Sequence, residues 1–309
     1  MALTKTQVET FHRRGYLVVK DVLSPDRRAT VMAEYDGLLD TLCPRWGIPR
    51  TGNFFADLRA AHLAGVDWFQ PLDISLPGEE ITAATPFHAG PAVFDMMTDP
   101  ALLDVVEGIV GPEITSTPIQ HVRIKPPARQ LAPGEARAHV GGTAWHQDRG
   151  VAHAEADETT MVTVWIAMTD ATEENGCLIV QPFDGPQGML PHCPLRQTAI
   201  PDSFLDADRA VALPVKAGDI LLLHPMIPHA SLDNTTEGFR WSFDLRYQTT
   251  GQPTGRAHFP DFIARSADRS KELRDARAWR ESWVAARIAC AGGPHVPIHR
   301  WTSASPNCA

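Results

Sequence analysis

The chain has no apolar run approaching the roughly 18 residues that crossing a bilayer requires. Its opening residues, MALTKTQVETFHRRGYLVV, hold no apolar core followed by a small-residue cleavage site, so a secretory leader is not expected and the cytoplasm is the expected compartment. An excess of basic residues is missing as well. Lys and Arg number 28 against 37 Asp and Glu, a net charge of −9 with a pI near 5.8, which argues against nucleic acid or an anionic membrane as partner. Cysteine is sparse: Cys43, Cys177, Cys193, Cys290 and Cys308 are scattered, odd in number and form no C-x-x-C. That pattern fits neither a zinc knuckle nor a disulfide framework, and suits a reducing compartment. Internal repeats and low-complexity linkers are absent too.

What remains is the composition of a globular protein. Hydrophobic residues make up 43% and charged residues 21% of 309, enough to bury a large core, and the expectation is one domain over residues 1–309. Its N-terminal part, 1–112, reads as mostly helical. TKTQVETFHRRG is an amphipathic helix closed by Gly15, YLVVKDVL a strand, and SPDRRATVMAEYDGLLDTL a helix with Ser24 as N-cap and Pro25 at its first position. Residues 43–92 are rich in Pro and Gly and weakly periodic, the signature of a functional loop such as a lid. VFDMMTDPALLDVVEGIV is helical with a break at Pro100.

From 113 to 260 the period becomes that of strands. STPIQHVRIKPP, TTMVTVWIAMTD, GCLIVQPF, AVALPV, GDILLLHPMIPHAS and FRWSFDLRYQ are short β-rich runs bounded by turn residues. Many strands without intervening helices point to a sandwich or jelly roll. The last part, 261–309, returns to helix, with Leu273, Ala276, Trp279, Trp283 and Ala286 on one core-facing stripe, and ends in a tail.

Thirteen histidines and 37 acids would form about one or two His-x-acid pairs by chance. Two occur, His146/Asp148 in AWHQDRG and His153/Glu155 in VAHAEAD. Two residues apart on an extended segment, such side chains share a face. Acidic residues crowd the second pair, which reads as a surface loop. The first becomes a metal site if the fold brings a second histidine close. Non-haem Fe(II) oxygenases use two histidines and one carboxylate with positions left open. In GDILLLHPMIPHASLDNTTEGFRWSFDLR, both His224 and His229 are candidates for that ligand, and Arg240 follows on the next strand.

FHRRGYLVVKDVL, RIKPP, WHQD, VWIAMTDATEENGCL and HASLDNTTEGFR, in this order, resemble the phytanoyl-CoA dioxygenase family of Fe(II)- and 2-oxoglutarate-dependent oxygenases. The resemblance implies a mainly β protein with flanking helices, built on a double-stranded β-helix. It implies Fe(II) held by His146, Asp148 and His229, with 2-oxoglutarate and O2 as cosubstrates. The spacing to Arg240 and the Ala230-Ser231 that follows His229 favour His229 over His224. Arg240 matches the partner of the far carboxylate of 2-oxoglutarate, with Ser231, Lys125 and Trp165 at other cosubstrate positions. His121 joins them by sharing a strand face with Lys125.

The expected reaction is oxidation, most simply hydroxylation, of an unactivated C–H bond in a small metabolite, in natural-product biosynthesis or catabolism. Desaturation, epoxidation or ring formation would use the same machinery. A metal-dependent isomerase or binding protein of similar fold is the competing class. After ENGCL the family's Pro-Gly-Ser-His turn is replaced by IVQPFDGPQG. Residues 181–205 and 43–92 are the expected lid, with Phe54, Phe55, Phe183 and Arg246 as candidate substrate contacts; Arg246, on one strand face with Arg240, Ser242 and Asp244, could equally form a salt bridge with Asp244 or another acid.

Overall fold

A computed structural model describes residues 2–131, 140–185, 188–298 and 300–308. The first helix, α1 (Lys5–Arg14), starts at Thr4, which forms a capping box with Gln7. It stops at Gly15, whose φ of 81° is the left-handed conformation that glycine takes without cost. Strand β1 (Tyr16–Val19) leads to α2 (Pro25–Trp46), capped by Ser24. Helices α3 (Phe54–Leu63), α4 (Phe69–Leu72), α5 (Pro91–Met97) and α6 (Pro100–Val110) follow. The expected break at Pro100 is a new helix start, with Asp99 accepting a hydrogen bond from Ala101 N–H.

The strands come next: β2 (Ile114–Ser116), β3 (His121–Lys125), β4 (Met161–Ala167), β5 (Leu178–Val180) and a two-residue hairpin of β6 (Cys193–Pro194) and β7 (Thr198–Ala199). After them lie β8 (Val211–Leu213), β9 (Ile220–Leu223), β10 (His229–Ser231), β11 (Arg240–Thr249) and β12 (Phe262–Arg265). A one-turn helix, α7 (Asp148–Val151), sits between β3 and β4, and α8 (Ala276–Gly292) closes the order. None of the described helices is long and apolar enough to cross a membrane.

The large sheet runs β1-β9-β4-β11-β2-β12, with β3 also on β11, and a smaller sheet runs β10-β5-β8. All pairings are antiparallel, and the fold is a jelly roll with helices flanking it. The large sheet reaches back to β1 and forward to β12, so the helical ends and the strand-rich middle share one sheet.

Strand periodicity decides which face does what. On β11, Trp241, Phe243, Leu245 and Tyr247 enter the main apolar core with the helices; Val162, Val164 and Ile166 of β4 and Ile220 and Leu222 of β9 join them. The alternate residues face the smaller sheet. There Trp165, Ala167, Leu221 and Leu223 meet Leu178, Val180 and Leu213 in a second core. Arg240, Ser242, Asp244 and Arg246 of β11 share that inner face and are all buried.

Three expectations are corrected. Residues 43–92 are not an irregular lid. They hold α3 and α4, and Phe54, Leu58, Trp68, Phe69 and Leu72 are in the main core. Their Pro and Gly masked short helices whose apolar partners are far away in sequence. The helix at the C-terminus starts at Ala276, where Asp275 caps it, so Leu273 of the expected stripe precedes it; Trp279 and Trp283 are buried as the stripe implied. Finally, the cysteines are not all free. Cys193 and Cys308 form a disulfide across 115 residues, tying the tail to the β6–β7 hairpin, while Cys43, Cys177 and Cys290 remain thiols.

Candidate metal and cosubstrate site

Strand β10 and the stretch leading into α7 bring the ligand atoms together. His146 and His229 form an isolated β-bridge, each donating its backbone N–H to the other's carbonyl at 2.9 Å. Their rings lie 4.2 Å apart. Asp148 is two residues past His146, at the first turn of α7, and is completely buried. The ligand atoms of His146, Asp148 and His229 all lie within 4.8 Å of one another, the one such group among the described residues. Asp148 Oδ1 is 3.7 Å from His146 Nε2, and Oδ2 is 3.9 Å from His229 Nε2.

The backbone sets the tautomers. His146 Nδ1 is 2.8 Å from the carbonyl of Ala144, and His229 Nδ1 is 3.1 Å from that of Ile227. A carbonyl can only accept, so each Nδ1 carries the proton and each Nε2 offers a lone pair toward Asp148. Burial, with His229 alongside, pulls the His146 pKa down to about 3 and keeps the ring neutral. Burial alone would push the Asp148 carboxyl up, but Arg246, His229, His146 and a hydrogen bond from Thr163 hold it far below the usual carboxylate range. Two imidazoles tied at Nδ1 to backbone carbonyls, with one ionised carboxylate, are a donor set that fits Fe(II). His224 is not among them. Its Nδ1 accepts from Met226 N–H at 3.1 Å, and its ring packs on Phe11 and Phe183.

A narrow cavity between the sheets is lined by His146 and His229, by Trp165, Ser231 and Arg240, and by Arg123 and Asp244. Arg240 is wholly buried, donates to Ser242 Oγ at 2.6 Å and the Gly176 carbonyl at 3.1 Å, and lies 5.3 Å from the Trp165 ring centre. Its Nε and the Trp165 Nε1 have no hydrogen-bond partner. No carboxylate among the described residues pairs with Arg240, and burial, with Arg123 nearby, draws its pKa down to about 9. Lys125, opposite Arg240 in the β3–β11 register, donates to Ser231 Oγ and to the Leu232 carbonyl. Burial foremost, then Arg240 and Arg123, push its pKa well down. Two buried cations side by side are costly unless an anion joins them.

Other candidates are placed elsewhere. His121 faces inward but contacts Asp73 Oδ2 at 2.9 Å. Phe54 stacks on Trp241 with ring centres 4.9 Å apart, and Phe55 packs 6.1 Å from Phe239. Both are on the helix side of the large sheet, because odd-numbered positions of β11 face that way, so neither reaches the cavity. Phe183 lines a separate surface cavity with His12 and His224. Arg246 is buried against Asp148 rather than at a mouth. The 181–205 segment does approach the ligands in its described part. Leu190 N–H donates to Gln147 Oε1 at 2.7 Å, Ile200 N–H donates to the Trp145 carbonyl at 2.7 Å, and Gln147 N–H donates to His192 Nε2 at 2.9 Å. Residues 186 and 187 of that segment lie outside the described residues.

Sequence reasoning missed Arg123 and Thr163. Strand parity could have found both: Arg123 alternates with His121 and Lys125 on β3, and Thr163 shares a face with Trp165 on β4.

The family description "Phytanoyl-CoA dioxygenase (PhyH)" matches residues 11–242. The chain belongs to the phytanoyl-CoA dioxygenase family. This is a family of 2-oxoglutarate-dependent oxygenases. A probable phytanoyl-CoA dioxygenase of Caenorhabditis elegans is 28% identical over 177 residues, covering 54% of each protein; the chain thus spans about half the length of that relative. Among solved structures, the apo form of the non-heme monooxygenase ThoJ superposes with a TM-score of 0.61 at 20% identity, covering 93% of this chain and 97% of that one. The epimerase SnoN in complex with Fe3+, alpha ketoglutarate and nogalamycin RO gives a TM-score of 0.53 at 20% identity, covering 82% and 87%. These likenesses extend the family's jelly roll over nearly the whole chain.

Proposed function

We propose that this phytanoyl-CoA dioxygenase family member binds Fe(II) through His146, Asp148 and His229 and uses 2-oxoglutarate and O2 to hydroxylate an unactivated C–H bond of a small metabolite. The observation that carries the reading is Arg240, a buried guanidinium without a carboxylate partner among the described residues, in the same cavity as the two histidines. On β10, His229 and Ser231 point the same way about 6–7 Å apart, a distance that suits a five-carbon diacid reaching from the metal to Arg240 and Lys125. Arg240 supplies a planar fork for the far carboxylate, Ser231 and Lys125 supply further donors, and Trp165 walls the aliphatic stretch. A dianion entering this site neutralises the two cations that burial penalises.

Bound iron with 2-oxoglutarate supplies O2 reduction coupled to oxidative decarboxylation, giving succinate and CO2. The chain's own residues do the rest. His146 and His229 present Nε2 lone pairs, Asp148 stays ionised, and the two apolar cores keep water from the cavity walls. Because Asp148 fills the carboxylate position, the site is built for oxygenation rather than for halide. The substrate is a small molecule, by analogy with SnoN, whose complex holds nogalamycin RO. Its discrimination belongs to the 188–200 segment beside Gln147 rather than to 43–92.

The deciding experiment is coupled turnover. Iron-loaded protein converts 2-oxoglutarate to succinate, and a metabolite screen identifies compounds that raise succinate release in step with their own oxidation. If the loaded protein left 2-oxoglutarate unchanged with and without candidate substrates, the isomerase or binding-protein class would replace this one.

A further inference from the structure

Asp148 is held from behind by two donors that a single register brings together. Arg246 of β11 and Thr163 of β4 are Cα partners, so their side chains stand side by side on the inner face of the large sheet. Arg246 Nη2 donates to Asp148 Oδ1 and the Thr163 hydroxyl donates to Oδ2. Each carboxylate oxygen thus has one fixed donor on the sheet side and one imidazole Nε2 on the other. Rotation about χ2 would break both donor contacts together.

The guanidinium is itself held. Its Nη1 donates to the Ile119 carbonyl at 3.0 Å, and its Nη2 is 3.8 Å from Asp244 Oδ2. Asp244 in turn accepts from Arg123 Nε at 3.1 Å and Nη2 at 2.8 Å. Negative and positive groups alternate along Asp148, Arg246, Asp244 and Arg123, all of them buried. Each charge therefore has an opposite neighbour where water cannot supply one.

We propose that Arg246 is a positioning residue for the metal centre, which with Thr163 fixes the plane of Asp148 toward His146 and His229 and is kept in place by the Asp244–Arg123 pair. This rests on the reading of His146, Asp148 and His229 as the metal ligands. A cation so close to the metal also repels it, so the two effects of Arg246 have opposite signs. Geometry wins, because an unbraced carboxylate must be ordered at the moment of binding, and loss of such outer partners commonly costs 10–100-fold in metal affinity.

The test is titration of the metal-free full-length protein with Co(II), read by its visible ligand-field absorption, with the melting temperature of each metal-free variant measured alongside. Arg246→Met is expected to bind Co(II) at least tenfold more weakly with an altered spectrum, Arg246→Lys to recover part of the affinity, and Thr163→Val to lose several-fold. A merely structural arginine would lower the melting temperature and leave affinity and spectrum of the folded protein unchanged. Affinity in Arg246→Met equal to or tighter than wild type overturns the proposal. If that variant does not fold, Thr163→Val and Asp244→Asn decide, and wild-type affinity in both overturns it equally. A wild-type protein that fails to bind Co(II), or a His146→Ala variant that binds it normally, removes the metal reading and this proposal with it.

Discussion

Replacing Arg240 with Met should move ligand affinity and the stability of the empty protein in opposite directions. Arg240 is fully buried with no carboxylate partner among the described residues, and its pKa is drawn down to about 9, by burial first and then by Arg123. Such a shift corresponds to on the order of 5 kcal/mol of penalty on the charged form, as an upper bound. The folded state is the one that resists the proton. The penalty is therefore fully present below pH 9, and it eases as pH rises above about 9 toward the ordinary arginine range. Met fills much of the same volume without charge. Ligand-free Arg240→Met should then melt above ligand-free wild type at pH 7.5, by roughly 2–4 °C for each kcal/mol recovered. The gap should narrow above pH 9. Loss of a buried charge-assisted contact costs about 2–5 kcal/mol, so 2-oxoglutarate affinity should fall by about thirty- to several-thousand-fold, and the thermal shift on adding 2-oxoglutarate should vanish. Calorimetric titration at fixed Co(II), together with melting curves, measures both. Unchanged 2-oxoglutarate affinity would refute the carboxylate role, and a less stable ligand-free variant would refute the claim that the empty site carries an uncompensated charge.

Other expectations follow from the same structure. His229→Ala should abolish coupled succinate formation and His224→Ala should spare most of it; the reverse result in a succinate assay would move the third ligand to His224. Phe54→Ala should lower unfolding free energy by about 3–5 kcal/mol in urea titrations while 2-oxoglutarate affinity stays within about twofold, and a selective loss of cosubstrate or substrate binding would return Phe54 to the site. The metal-free protein should lose stability as pH falls from 6.5 toward 4. Burial foremost holds His146 at about 3 and His192 and His224 at about 4, so across that window the unfolded chain takes up protons that the folded chain refuses. Urea midpoints that stayed constant between pH 7 and 4.5 would show that these rings are not held neutral.

Local pattern carried much of this protein. The cap at Ser24, the turn at Gly15 and the helix break at Pro100 are set by residues within a few positions of one another, and all could be read directly. The alternation on β3, β4 and β11 told which residues share a face, and the WHQD and HASLDNTTEGFR stretches marked His146, Asp148, His229 and Arg240. Tertiary structure decided which face is which. Phe54 and Phe55 looked like a lid because their partners, Trp241 and Phe239, lie nearly two hundred residues downstream, and only the sheet shows that they pack behind the site. Arg246 allowed two readings, a substrate contact or a salt bridge with an acid, because parity alone cannot say what fills the space in front of a side chain. The fold put Asp148 there, through the pairing of Arg246 with Thr163. Cys193 meets Cys308 across 115 residues, a contact no spacing announces. Periodicity reports the direction of a side chain relative to its own strand, whereas its partner is set by chain closure over long separations, which no local window contains.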